Sequence, residues 1–257
     1  MGEADLKSYP RYVTLGFQPF DPAELAKETE KILCKGDARK YTDFYATGVY
    51  GGIATGYTCG CCLRCVFCWV DWSRDFPERY GHFYSAEEAF GRLKDAARRF
   101  NVRKLRISGA EPTLGKEHLL GLLAHVESSE FDLFILETNG ILLGADRDYV
   151  KDLSRFKAIR NLLDSGVSFH VAAMSADPRI MGEKEREALI LKLADIDPEL
   201  ALKLEEEVVD PYKTTLARLE YAGLNLRGPL RHIYPPVKLP GEGEFLRRRL
   251  GRYSYLH

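Results

Sequence analysis

No stretch of this chain approaches the run of about 18 apolar residues that a membrane helix requires, so no spanning segment is expected. The formal net charge is −1, which offers no electrostatic argument for nucleic acid as a partner. Arg247, Arg248 and Arg249 form a short basic cluster, read as a solvated face. Residues 1–10 mix charged and polar side chains and lack the basic-then-apolar pattern of a secretory signal. Internal repeats and low-complexity segments are absent. No cysteine follows Cys68, and the six histidines show no metal-ligand spacing. Together these absences point to a cytoplasmic chain with reduced thiols. The composition is 45% hydrophobic and 29% charged, ordinary for a globular protein with a sizeable core. At 257 residues the length suits one large α/β domain or two small ones.

Sequence periodicity predicts a helix over 22–34, capped by Asp21, opened by Pro22 and ended by Gly36, with Cys34 on it as a structural residue. Residues 47–58 are β-branched, aromatic and glycine-rich, and predict a short strand. Ser85 and Glu88 form a capping box before a helix over 86–100. A strand over 104–108, a leucine-rich helix over 116–128, a strand over 132–137, a helix over 146–164 and a strand over 167–173 follow. His170 sits on that last strand, either as a satisfied core residue or facing the interior. Strand, loop and helix thus alternate at least three times, which implies parallel strands with crossover helices and chemistry at the strand C-terminal ends. Residues 183–207 are charged and helical, 211–222 predict a helix ended by Gly223, and two short strands near 224–226 and 231–234 complete the pattern. The fold class expected is α/β, a partial (β/α)6 TIM-type barrel of parallel strands with an N-terminal helical extension. The expected division is an extension over 1–46, a core domain over 47–240 and a basic tail over 241–257.

Five of the six cysteines lie between Cys59 and Cys68. Clustering of this kind in a reducing compartment points to metal or redox chemistry rather than disulfides. Two spacings overlap. Cys61, Cys65 and Cys68 make Cys-x3-Cys-x2-Cys, while Cys59, Cys62, Cys65 and Cys68 make three Cys-x2-Cys steps. Four thiolates would close a four-iron cluster or a zinc site, whereas three would leave one iron open to a ligand. A zinc ribbon would need a second, distant cysteine pair, which the sequence lacks.

Cys-x3-Cys-x2-Cys with aromatic Phe67 before the last cysteine resembles the signature of the radical S-adenosylmethionine (SAM) superfamily. Ser108-Gly109-Ala110-Glu111-Pro112 is similar to that family's Gly-Gly-Glu-Pro segment after the second strand. Glu137-Thr138-Asn139-Gly140 is similar to a Thr-Asn-Gly segment of the branch that includes the pyruvate formate-lyase activating enzyme. The three segments occur in the family's order, each at a predicted strand end. The resemblance implies that Cys61, Cys65 and Cys68 ligate a [4Fe–4S] cluster whose open iron is chelated by SAM. It further implies reductive cleavage of SAM to a 5′-deoxyadenosyl radical that abstracts hydrogen from a substrate, in one branch activating a protein. On the same basis Glu111, with the Gly109 and Ala110 backbone, holds the SAM ammonium. Phe67 packs near the adenine, and Thr138, Asn139 and Ser175 face the ribose and carboxylate. The implied partners are reduced ferredoxin or flavodoxin as electron donor and an unidentified substrate.

Plainer assignments exist for each residue: an ordinary turn at 109–112, a common Asn-Gly turn at 139–140, a helix cap at Ser175, core packing at Phe67. Two other functions fit the cysteines alone, a non-catalytic electron carrier with a closed four-cysteine cluster and a zinc-binding module. Ser175-Ala176-Asp177-Pro178 resembles an activase segment, yet Ala172 and Met174 stand where activases carry Asp and Lys. The absence of cysteine beyond Cys68 speaks against a second, auxiliary cluster.

Overall fold

The computed structural model describes residues 6–13, 19–145, 171–196, 198–210, 212–224, 226 and 234. The chain divides into two compact units, Met1–Val167 and Ser168–His257.

The first unit opens with α1, Pro22–Leu33. The Asp21 carboxylate accepts the Ala23 N–H at 2.8 Å, and Pro22 occupies the first turn, where no N–H is required. The helix stops one residue short of the expected end. Cys34 closes the last turn onto the Glu30 carbonyl but is itself extended, at φ −117° and ψ 143°. It begins β1, Cys34–Lys35, so Cys34 is on a strand rather than on the helix. The chain then turns into β2, Ala38–Thr47, which sequence periodicity does not predict. The reason is burial on both faces: consecutive residues Arg39, Lys40 and Tyr41 are all buried, which removes the alternation that marks a half-exposed strand.

A single 3₁₀ turn, Val49–Gly51, leads into β3, Ile53–Thr58, which pairs antiparallel with β2. The strand expected over 47–58 is therefore its second half only. A short β4, His82–Tyr84, pairs antiparallel with β2 near Arg39. The capping box forms at α2, Ala86–Arg99: Ser85 Oγ accepts the Glu88 N–H at 3.2 Å, and the Glu88 carboxylate accepts the Ser85 N–H at 2.8 Å. Next come β5, Lys104–Gly109, α3, Lys116–Glu127, and β6, Leu133–Leu136. β3, β5 and β6 run parallel, as the strand–helix rhythm implies. α4, Ile141–Ala145, follows. The helix expected over 146–164, and His170, lie outside the described residues.

One face of the sheet supplies Ala54, Leu105, Ile107 and Phe134 to a core completed by Ala89 and Leu93 of α2 and Leu119, Leu122 and Leu123 of α3. Each fully buried leucine there contributes about 1.5–3 kcal/mol. A smaller cluster joins Ala26 and Leu33 of α1 to Leu114, Cys59 and Cys62. The parallel strands thus end beside loops that α1 and β2 cover.

In the second unit, β7, Ala172–Ala173, is the described end of the strand expected over 167–173. The helical stretch expected over 183–207 is two helices, α5, Glu183–Ile196, and α6, Pro198–Leu202, followed by β8, Glu205–Glu206. β8 leaves the helical path to pair in parallel with β7, and Arg186 fixes it there through Glu206 at 2.6 and 2.8 Å. α7, Lys213–Tyr221, starts after Tyr212 and ends at Gly223, which has φ +72°. Of the short strands expected near 224–226 and 231–234, Leu224, Leu226 and Tyr234 are described and lie in no strand, and the other four residues lie outside the described residues. The fold is mixed α/β, in keeping with a partial TIM-type arrangement.

Candidate active site

The cysteine loop begins where β3 ends, at Thr58. Gly60 sits at φ +72°, and a Cβ there would lie 2.7 Å from Leu33 Cδ1, so only glycine permits α1 to pack this closely. Two buried arginines hold the loop backbone. Arg64 Nη1 donates to the Cys61 and Leu63 carbonyls at 2.7 and 2.9 Å. Arg74 Nη1 donates to the Cys65 carbonyl at 2.7 Å, while its Nη2 pairs with the buried Asp75 at 2.7 Å.

The five clustered cysteines separate by burial. Cys59 and Cys62 are fully buried, whereas Cys61, Cys65 and Cys68 are partly exposed. Cys59 points its thiol toward the Lys40 and Tyr80 carbonyls. Asn139 Nδ2 lies 3.3 Å from Cys62 Sγ and 3.6 Å from Cys61 Sγ. Burial pushes the Cys59 and Cys65 thiols up to about 11. Among the described residues, no three His, Cys, Asp or Glu side chains converge as ligands of a single ion.

The second loop leaves β5 at Gly109, whose φ is +100°; a Cβ there would meet the Thr58 carbonyl oxygen at 2.7 Å. Glycine therefore lets the two strand ends touch. Ala110 N–H donates to the Thr58 carbonyl at 3.2 Å, and Glu111 N–H donates to the Gly60 carbonyl at 3.0 Å, stitching this loop to the cysteine loop. Glu111 is 1% exposed. Its Oε1 accepts from Thr113 N (2.9 Å), Thr113 Oγ1 (2.6 Å) and Thr138 Oγ1 (2.6 Å); its Oε2 accepts the Asn139 N–H at 2.8 Å. One carboxylate thus joins the Gly109–Pro112 loop to the Thr138–Asn139 turn, and Asn139 in turn reaches the cysteine sulfurs. Cys61, Gly109, Ala110, Glu111, Thr138 and Asn139 are brought together. Cys65, Phe67 and Cys68 lie further along the cysteine loop, with Phe67 partly exposed.

Ser175 belongs to the second unit. It is fully buried and donates to Glu206 Oε1 at 3.0 Å, so it is not a helix cap. The neighbouring Asp177 instead organises its turn, accepting from Arg179 N at 3.0 Å and pairing with Arg179 Nη2 at 2.6 Å.

The other face of the sheet carries a polar wall that the segment motifs do not mark. Thr55 and Tyr57 of β3 stand beside Arg106 and Ser108 of β5. Arg106 Nε donates to Thr55 Oγ1 at 3.0 Å, and its Nη1 pairs with Glu137 Oε1 at 3.0 Å. Ser108 Oγ donates to Glu137 Oε2, and Tyr50 OH reaches Glu137 Oε1 at 3.4 Å. Tyr57 packs against Trp69, the residue after Cys68, with ring centroids 5.7 Å apart, and against Tyr45 at 6.2 Å. Burial raises the Tyr45 and Tyr57 phenols, which remain neutral donors. The available signal is the alternation of Arg106 and Ser108 with Leu105 and Ile107 inside one strand.

A probable GTP 3',8-cyclase from Methanococcus maripaludis is 32% identical over 106 residues, 40% of this chain and 34% of that relative. One from Methanopyrus kandleri is 35% identical over 98 residues, covering 38% of this chain and 28% of the relative. One from Methanocaldococcus jannaschii is 29% identical over 92 residues, covering 36% and 29%. The chain therefore spans about a third of the length of these curated relatives. The sequence model of the radical SAM superfamily matches residues 56–196, from β3 through α5 and more than half of the chain. This chain is thus an enzyme of the radical SAM superfamily, whose members work with a [4Fe–4S] cluster and S-adenosylmethionine.

Proposed function

We propose that Cys61, Cys65 and Cys68 ligate the three protein-bound irons of the cluster and that the fourth iron is left for SAM. The observation that carries this is the burial split: these three cysteines are partly exposed, while Cys59 and Cys62 sit in the apolar cluster with Ala26, Leu33 and Leu114. The donor set suits the group. Three thiols share one loop whose carbonyls are tied down by Arg64 and Arg74, and Cys65 lies within electrostatic reach of both Cys61 and Cys68. Three thiolates on one loop are the donor set that would hold a four-iron cluster with one iron left open. When bound, the cluster and SAM supply one-electron cleavage of a C–S bond and a hydrogen-abstracting 5′-deoxyadenosyl radical.

The chain's own residues supply the rest. The Glu111 carboxylate accepts the SAM ammonium. Two of its present donors are threonine hydroxyls, which rotate to other acceptors at small cost when a cation arrives. Thr138 and Asn139, joined to Glu111, hold the SAM carboxylate and ribose, and Phe67 packs on the adenine. Ser175, described only within the second unit, keeps its proposed role in the ribose region. The wall of Thr55, Tyr57, Arg106, Ser108 and Glu137 faces the substrate, and Trp69 with Tyr57 screens the cluster side from water. Reduced ferredoxin or flavodoxin in the cytoplasm is the proposed electron source.

Two substrate classes have support. The relatives named as cyclases favour a small molecule, and the paired Arg106–Glu137 wall suits a neutral, hydrogen-bonding one. The Thr138-Asn139-Gly140 turn favours the activase-like branch and a protein substrate. The small molecule is the preferred reading, since Ala172 and Met174 replace the charged residues of the activases. The ligand assignment is tested by iron and sulfide analysis after anaerobic reconstitution. Cys59→Ala and Cys62→Ala should keep a wild-type cluster, and Cys61→Ala should lose it. Loss of the cluster in Cys62→Ala or Cys59→Ala would replace the open site by a closed four-thiolate carrier.

A further inference from the structure

The Glu111 loop is held from a direction that the cofactor assignment leaves unused. Arg39, on β2, is 1% exposed. Its guanidinium donates to three carbonyls of that loop's backbone: Nη2 to the Glu111 carbonyl at 2.6 Å, and Nη1 to the Pro112 and Leu114 carbonyls. Nε is buried without a hydrogen-bond partner, and among the described residues no carboxylate pairs with this cation. A buried guanidinium answered only by carbonyls is costly to maintain, so its geometry is tightly determined. One residue beyond, Gly115 N–H donates to Glu30 Oε1 of α1 at 2.7 Å. The loop is therefore clamped at 111, 112, 114 and 115 by two side chains from residues 22–47, a segment lying before the superfamily match at 56–196.

We propose that Arg39 is a positioning residue for SAM. By fixing the Glu111 backbone it keeps the carboxylate aimed at Thr138 and Asn139, where the ammonium binds, and it makes the α1–β2 segment part of the cofactor site. This rests on the assignment of Glu111 to SAM. It requires Arg39 to matter for SAM binding but not for cluster assembly, because beyond Gly60 the cysteine loop has its own anchors in Arg64 and Arg74.

The test uses reconstituted full-length protein, wild type, Arg39→Lys and Arg39→Met. Cluster loading is read by iron and sulfide content and by the EPR signal of the reduced cluster without SAM. SAM binding is read by the SAM-dependent change in that signal, and loop order by hydrogen exchange of residues 110–115. The expected result is unchanged loading in both variants, faster exchange, and SAM affinity lower by about tenfold or more in Arg39→Met, from loss of charge-assisted bonds. Arg39→Lys should restore part of that affinity. Full loading with wild-type SAM affinity in Arg39→Met overturns the proposal and leaves the superfamily mechanism intact. Loss of the cluster or of the fold in both variants overturns it too, by showing a general scaffold role. A wild-type protein that loads its cluster and binds no SAM removes the cofactor assignment itself.

Discussion

Glu111 collects more of this site than any other side chain. Its two oxygens accept four hydrogen bonds, three at Oε1 and one at Oε2, and they do so at 1% exposure. Glu111→Gln replaces one oxygen by an NH₂ group that can only donate. At least one buried donor among Thr113, Thr138 and Asn139 then faces another donor. We expect a loss of about 1–3 kcal/mol in denaturant unfolding, together with weakened SAM binding. An unchanged midpoint would mean that the carboxylate is not the connector described. Much of this residue chemistry is legible in the sequence: Cys61, Gly109, Ala110, Glu111, Thr138 and Asn139 stand out by order and spacing, and the fold gathers them. Thr55, Arg106 and Glu137 are harder to see, since a polar wall made by alternate residues of separate strands leaves only a two-residue period in each.

Among elements, β2 teaches the most. A strand reading Arg-Lys-Tyr across buried positions carries no hydrophobic alternation, because cover on both faces gives each polar head its own acceptors: Arg39 on carbonyls of the Glu111 loop, Lys40 on the Pro77 carbonyl at 2.8 Å. By contrast, α2 is written plainly, with its capping box and apolar stripe. β2 and α3 meet at His118, whose Nε2 is 2.8 Å from Tyr41 OH and whose Nδ1 is 2.7 Å from the Asp37 carbonyl. Burial pushes this imidazole from 6.5 down to about 4; the Asp37 carbonyl and the Asp37 charge oppose the shift, and the Arg39 guanidinium adds to it. Between those values the unfolded chain takes up a proton that the folded chain refuses. Stability from this group is therefore complete above pH 6.5 and declines toward pH 4, by up to about 3 kcal/mol. Urea midpoints at pH 7 and pH 5 should fall more for the wild type than for His118→Asn. Parallel falls would show that His118 does not titrate between the folded and unfolded states as described.

At the scale of the whole molecule, the rhythm of strand and helix gives the parallel β3–β5–β6 sheet, and three ordered segments give the superfamily. What the rhythm does not convey is the antiparallel cover. β1, β2 and β4 belong to the same sheet as the parallel strands, because β2 continues the hydrogen-bonding of β3 while α1 closes over the cysteine loop. The break of the 183–207 stretch into α5, α6 and β8 is equally hidden, since a Glu-Glu strand is recognisable only once Arg186 pairs with it. The central claim is an iron-bound vacancy for SAM made by three partly exposed thiols. Its most direct measurement is anaerobic incubation of the reduced, fully loaded protein with SAM, followed by quantification of 5′-deoxyadenosine and methionine. The account predicts both products, formed in equal amounts and absent in Cys61→Ala. A loaded, reduced cluster that releases neither product and shows no SAM-dependent spectral change would contradict it.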